Sequence, residues 1–263
     1  MNSVHDFVRF KAEGRKISMV TAYDAWSARI IARSHVDAVL VGDSAAMVMH
    51  GHPTTLSATV RLMALHTRAV ACSVDGKFLT ADLPFLSFRK GIPAAMTAVG
   101  ALMTSGAQAV KLEGVDGHED VIRRILGSGV PVMGHIGLTP QSVNQFGGFR
   151  VQGKNDAEAA SLVRQAHVLE DLGCFSIVLE CVPAKLAARI TSELQLPTIG
   201  IGAGVATDGQ ILVLQDLWGV DTSHTPRFVR RYIDGERVLT DALNQYDADV
   251  KEARFPGPGE SYS

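Results

Sequence analysis

Five short apolar runs in this chain each close on a polar residue able to do chemistry, and this pattern narrows the choice of fold more than any other feature. VDAVLVGD closes at Asp43, KFLTAD at Asp82, QAVKLE at Glu113 with Lys111 two residues earlier, VPVMGH at His135, and CFSIVLE at Glu180. The runs are rich in Val, Ile and Leu and mostly apolar on both faces, as strands buried between a core and covering helices must be. Each interval between them has room for a loop and a returning helix. Parallel strands laid side by side bring their C-terminal ends to one rim, so residues far apart in sequence would meet at a single mouth.

The rest of the chain fits that rhythm. Strands are predicted at 17–22, 36–43, 78–82, 108–113, 130–135, 175–180 and 197–201. An eighth falls somewhere within 211–218, where a short helix competes for the same residues. Helical patterns fill 26–35, 57–71, 93–105, 117–127, 156–172 and 183–194, with Asp156 placed to cap the helix that ends at Gly173 and Pro183 suited to a first turn. Alternation of this kind calls for a parallel sheet. At 263 residues the chain matches one (β/α)₈ barrel, which typically takes roughly 250. We expect a single α/β barrel domain over 1–263, with an N-terminal helix and a C-terminal helical extension within 228–246. The tail FPGPGESYS is not a helix. The stretch 136–154, IGLTPQSVNQFGGFRVQGK, breaks the pattern: it is Gly-rich, lacks helical periodicity and follows His135 directly, as a lid or binding loop would.

Composition removes several function classes. No stretch approaches the ~18 apolar residues of a membrane span, and the formal charge of −2 gives no reason to expect nucleic acid or an anionic membrane as partner. Cys72, Cys174 and Cys181 show no CxxC spacing and are odd in number; we expect buried free thiols in a reducing cytoplasm. The charged start, MNSVHDFVRFKAEGRK, has no apolar core of a secretion signal.

Asp43, Asp82 and Glu113 form the strongest chemical group. Three carboxylates at adjacent strand ends repel one another, each pair near 4 Å by about 4 kcal/mol at an effective dielectric of 20. Lys111 alone cannot offset that. A divalent cation would, and an oxygen-only donor set favours Mg²⁺ over Zn²⁺. Taken singly, each carboxylate could instead cap a helix or pair with a surface cation. Lys111 and Glu113, two apart on a strand, point to the same side, where the lysine can hold a substrate carboxylate or a developing oxyanion, or simply pair with Glu113. A Schiff base would need a depressed pKa, and nearby carboxylates raise it, which favours the electrostatic role. Glu180 follows an apolar run with no local partner, surroundings that raise a carboxyl pKa toward that of a general base; helix capping before Pro183 is the alternative. His135 is either a direct participant or a histidine bonded to a backbone carbonyl. The segment GIGAG at 200–204 fails the dinucleotide fingerprint, because Val205 stands where its third glycine belongs, and reads as a backbone opening giving a ligand close access.

These segments together resemble ketopantoate hydroxymethyltransferase. The matching stretches are TAYD at 21–24, VGDS at 41–44, ADLPF at 81–85, VKLEG at 110–114, GHIGLTPQSVNQFGG at 134–148, VLECVP at 178–183, and GIGAG followed by TDGQILV at 207–213. They span most of the chain in the family's order. The resemblance implies a barrel of the phosphoenolpyruvate/pyruvate-like type. It implies transfer of a hydroxymethyl group from 5,10-methylenetetrahydrofolate to 3-methyl-2-oxobutanoate in pantothenate biosynthesis, by Mg²⁺-assisted enolate formation. By the same resemblance Asp43 and Asp82 are Mg²⁺ ligands, with Glu113 the third acidic residue of that site, acting directly or through water. Asp43, Ser44, Asp82 and Lys111 would hold the keto acid, with His135 beside them, and Glu180 would accept the proton. A cytoplasmic homo-oligomer, commonly a decamer, is implied as well. Two positions depart from the family pattern: Ala58, where proline is frequent, and DTSH before Pro226, where a glycine-rich segment is usual. Neither carries the chemistry named above; both bear on folate contacts. Two other readings stay open from sequence: a Mg²⁺-dependent carbon–carbon lyase on the same barrel, and a non-catalytic barrel that binds a metal–keto acid complex.

Overall fold

The computed structural model describes residues 1, 3–220 and 225–262. The chain divides into two compact units, Met1–Val213 and Leu214–Ser263. The first opens with α1 (Val4–Ala12) and continues through β1 (Ile17–Thr21), α2 (Ala25–Ala32), β2 (Ala38–Val41), a single turn α3 (Ala45–Val48) and α4 (Val60–Ala71). Next come β3 (Phe78–Asp82), α5 (Ile92–Thr104), β4 (Ala109–Glu113), α6 (Glu119–Leu126) and β5 (Val132–Gly137). The single turn α7 (Val143–Phe146), α8 (Asp156–Leu172), β6 (Ser176–Glu180), α9 (Ala184–Glu193), β7 (Thr198–Ile201) and β8 (Gly209–Leu212) complete it. Every strand pairs in parallel with its neighbours, and β1 pairs β8, so the sheet closes into an eight-stranded barrel. The second unit holds α10 (Leu214–Trp218) and α11 (Gly235–Lys251), joined where the Tyr232 N–H donates to Leu217 O and the Glu236 N–H to Gly219 O.

The barrel interior is packed. Met19, Leu40, Ala109, Met133, Val178, Ile199 and Ile211 contribute to one buried cluster, with small and large side chains interleaved. At the end where the strands begin, α1 inserts Phe7 edge-on against Phe78 and Phe175, at ring separations of 5.5 and 5.0 Å. That end is plugged, which leaves the C-terminal ends of the strands for chemistry.

Several boundaries moved for physical reasons. β8 starts at Gly209, two residues before the predicted window, and α10 takes residues 214–218. Asn155, not Asp156, caps α8: its side chain accepts from the Glu158 N–H, while Asp156 sits in the first turn. β5 runs two residues past His135 to Gly137, and the stretch after it contains a 3₁₀ turn, Pro140–Ser142, and α7. The closing segment forms one helix, α11, and the tail contains a 3₁₀ turn at Pro258–Glu260. All three cysteines are free, yet only Cys174 is buried; Cys72, at the end of α4, is exposed. The DTSH segment, residues 221–224, lies outside the described residues.

Candidate active site

Strand register assembles the site. Asp82, last in β3, stands directly across from Lys111 of β4. Glu113, last in β4, faces His135 of β5, and Gly137 of β5 faces Glu180 at the end of β6. Asp43 lies two residues beyond β2, and Ser44 caps α3. The predicted residues therefore collect at one rim, and contacts join them. The Asp43 N–H donates to Asp82 Oδ2 at 3.0 Å. Lys111 Nζ pairs with Asp82 Oδ1 at 3.0 Å and lies 3.2 Å from His135 Nδ1. His135 Nδ1 lies 3.5 Å from Glu113 Oε1, and its Nε2 lies 3.3 Å from Glu180 Oε2. Asp43, Asp82, Lys111, Glu113 and His135 are all at least 95% buried.

Two expectations need correction here. Glu180 does not stand in apolar surroundings, because His135 is beside it. Two of the GIGAG glycines make room for protein atoms: a Cβ on Gly200 would sit 2.6 Å from Thr207 Oγ1, and one on Gly204 would sit 2.6 Å from Ala184 Cβ.

Burial and charge compete at every group. Desolvation, then the charges of Glu113 and Asp82, push the Asp43 carboxyl well above the usual range. Burial also raises Asp82, although Lys111 and the Asp43 N–H pull the other way. Burial works against the Lys111 ammonium, but Asp82, Glu113 and Asp43 overcome it and hold this lysine above its ordinary value. It is a fixed positive charge, unsuited to act as a neutral nucleophile. Burial raises Glu113, but His135, the Lys111 charge and the Gln141 N–H together reverse it, leaving that carboxyl low. Burial and Lys111 depress His135, yet its bonds to Glu113 and Glu180 lift it to about 9.

Two residues that lie within the matching sequence stretches, but not among the site candidates, also contact these groups. Tyr23, just beyond β1, shares a 2.7 Å hydrogen bond between its hydroxyl and Ser44 Oγ. Gly42 permits this turn, since a Cβ there would come within 2.7 Å of Ser44 Oγ. Gln141, in the 3₁₀ turn after β5, donates Nε2 to Asp43 Oδ2 at 2.9 Å and its backbone N–H to Glu113 Oε2 at 2.9 Å. An uncharged glutamine in a loop gives no sequence signal of its own. The one available clue was its position in the long stretch directly after the His135 strand.

With that geometry in place, comparison with known proteins is informative. The family profile described as Ketopantoate hydroxymethyltransferase matches residues 1–258. The chain belongs to this family. A 3-methyl-2-oxobutanoate hydroxymethyltransferase from Bdellovibrio bacteriovorus is 54% identical over 263 residues, covering all of both chains. One of the same name from Coxiella burnetii is 51% identical over 252 residues, 95% of each. Another, from Francisella tularensis subsp. novicida, is 51% identical over 262 residues, covering 100% of this chain and 99% of its own. This member of the family is thus a transferase enzyme of the hydroxymethyltransferase kind. Solved structures place the fold. A phosphonopyruvate hydrolase crystallised with oxalate and Mg²⁺ superposes with a TM-score of 0.64 at 11% identity, covering 99% of this chain and 93% of its own. A 2,3-dimethylmalate lyase of the PEP mutase/isocitrate lyase superfamily gives 0.59 at 16%, covering 100% and 91%.

The donor set suits a hard cation. Three buried carboxylates face one lysine, and among the described residues Gln141 Oε1 is buried without a hydrogen-bond partner. Among the described residues, no three His, Cys, Asp or Glu side chains stand as a ready-made cage. Mg²⁺ does not require one, because it is commonly held by one or two carboxylates and keeps waters or substrate oxygens in its other positions. Among the described residues no helix is long and apolar enough to cross a membrane.

Proposed function

We propose that this enzyme transfers the one-carbon unit of 5,10-methylenetetrahydrofolate to 3-methyl-2-oxobutanoate, giving 2-dehydropantoate and tetrahydrofolate, in pantothenate biosynthesis. The observation that carries this reading is the contact chain Asp43–Asp82–Lys111–His135–Glu180 at one rim of the barrel, in a chain of this family. A divalent cation, Mg²⁺ by its donor set, would be held by Asp43 and Asp82, with Glu113 contacting it directly or through water, and would polarise the keto acid's carbonyl.

The chain's own residues do the rest. Ser44, steadied by Tyr23, and the Lys111 ammonium bind the keto acid, with Asp43 and Asp82 below it. Glu180 takes the proton from the carbon next to the ketone, and His135 keeps that carboxylate in place. As the C–H bond breaks, negative charge grows on the ketone oxygen, and Lys111 stabilises it electrostatically. The one-carbon unit exchanges its two bonds to the folate nitrogens for one bond to the carbon freed of its proton and one to a water oxygen. The proton taken by Glu180 and one proton of that water end on the two folate nitrogens. The loop after β5 limits water access during these steps. A homo-oligomer in the cytoplasm, commonly a decamer in the family, completes the reading.

Deuterium exchange at the keto acid's C3, followed by NMR, tests the assignment. Exchange without folate but product only with it is expected, and Glu180→Gln should slow exchange about 10²–10⁴-fold while keto acid still binds. An unchanged exchange rate in that variant would remove Glu180 as the base. Exchange with no product even in the presence of the folate would count against the transfer and favour the lyase reading instead.

A further inference from the structure

The proposed chemistry makes no use of Gln141, a deeply buried polar side chain in contact with the site. Gln141 is 4% exposed and reaches three elements at once. Its Nε2 donates to Asp43 Oδ2 beyond β2 and to the Leu83 carbonyl just past β3, at 2.9 and 3.0 Å. Its backbone N–H donates to Glu113 Oε2 at the end of β4. The Leu83 carbonyl can only accept, so it fixes the orientation of the amide: NH₂ faces Leu83 and Asp43, and Oε1 faces away from them. The backbone N–H is free for Glu113 because the first residues of a helical turn have no internal acceptor, and Pro140 precedes it in the same turn. One residue thus occupies one oxygen of Asp43 and one of Glu113, leaving the other oxygen of each carboxylate for a different partner.

We propose that Gln141 is a positioning residue: it sets the orientation of Asp43 and Glu113 for the cation and ties the loop after β5 to that site. The inference rests on the reading that these carboxylates hold a divalent ion. Groups that orient ligating carboxylates commonly change metal affinity about 10–100-fold when removed.

Mn²⁺ alone, titrated into the full-length protein and followed by electron paramagnetic resonance, is the probe. Gln141→Met keeps the volume and the backbone N–H but removes the amide. Its Mn²⁺ Kd should weaken about 10–100-fold, while the metal-free urea midpoint falls modestly as Asp43 and the Leu83 carbonyl lose a buried donor. In turnover, the Mg²⁺ needed for half-maximal rate should rise while kcat at saturating Mg²⁺ is largely kept. An unaltered Mn²⁺ Kd with a lowered urea midpoint would make Gln141 purely structural and overturn the inference. Should Gln141→Met not fold, Gln141→Asn, which draws the amide back by one methylene, is read by the same criteria. Asp43→Asn separates the two claims. If it leaves Mn²⁺ affinity intact, the metal reading itself fails; if it weakens binding and the Gln141 variants do not, only the positioning role fails.

Discussion

Lys111 is enclosed by Asp82, Glu113 and Asp43, whose charges keep its ammonium above the ordinary lysine value despite burial. Lys111→Met would leave those carboxylates without this countercharge. In the metal-free protein at neutral pH, urea unfolding should show a loss of about 3–5 kcal/mol, the usual result of deleting one partner of a buried pair. Part of that loss should return as the pH is lowered and the carboxyls protonate. A loss below about 1 kcal/mol would mean the pair is effectively solvated. His135 gives a second test through pH. Its folded-state value of about 9 lies above its usual 6.5, so the stability it contributes is complete below pH 6.5 and disappears as pH rises through 9. With a chelator present, stability should fall across that interval, and His135→Gln should flatten the slope; an identical slope in both proteins would contradict the assignment. At this scale the sequence was readable where charge marked the residue. Asp43, Asp82, Lys111, Glu113 and Glu180 announce themselves at strand ends, whereas Gln141 and Tyr23 act through hydrogen bonds that no local pattern reveals.

Among the elements, the end of β5 is the tightest point. Gly137 has φ +95, and a Cβ there would run into the Glu180 carbonyl. The Leu138 N–H donates to that same carbonyl at 2.8 Å, so the loop after β5 is anchored on the residue that carries the base. Gly137→Ala should cost at least the roughly 1–3 kcal/mol of left-handed strain, plus the clash, and should lower turnover with it. Gly147→Ala, at φ +65 with nothing within 4 Å, should cost only the strain. Urea midpoints of the two variants check the contrast, and equal losses would argue against the close approach. Legibility varied by element for the same kind of reason. β3 falls on residues 78–82 as expected, because FLTA is mostly apolar and closes on a single charged residue, Asp82. β8 was misplaced because its GQIL has two apolar residues and opens on glycine, while the following LQDLW looks equally apolar and folds as α10.

For the molecule as a whole, the closed parallel barrel was legible because alternation of strand and helix at this length leaves few other folds. Which end carries chemistry was legible too, since the polar residues close the runs instead of opening them, and α1 plugs the opposite end. Assembly is a property that a single chain does not display. Sedimentation should give a native mass several times that of the chain, and a monomer at micromolar concentration would contradict the proposed homo-oligomer. The central claim is that side chains from separate strands share one divalent ion, and anomalous scattering from crystals grown with Mn²⁺ and 3-methyl-2-oxobutanoate tests it most directly. The account expects one peak per chain within bonding distance of both Asp43 and Asp82, with the keto acid's oxygens on the same ion. A peak that touches neither carboxylate, or two peaks that divide them, would contradict it.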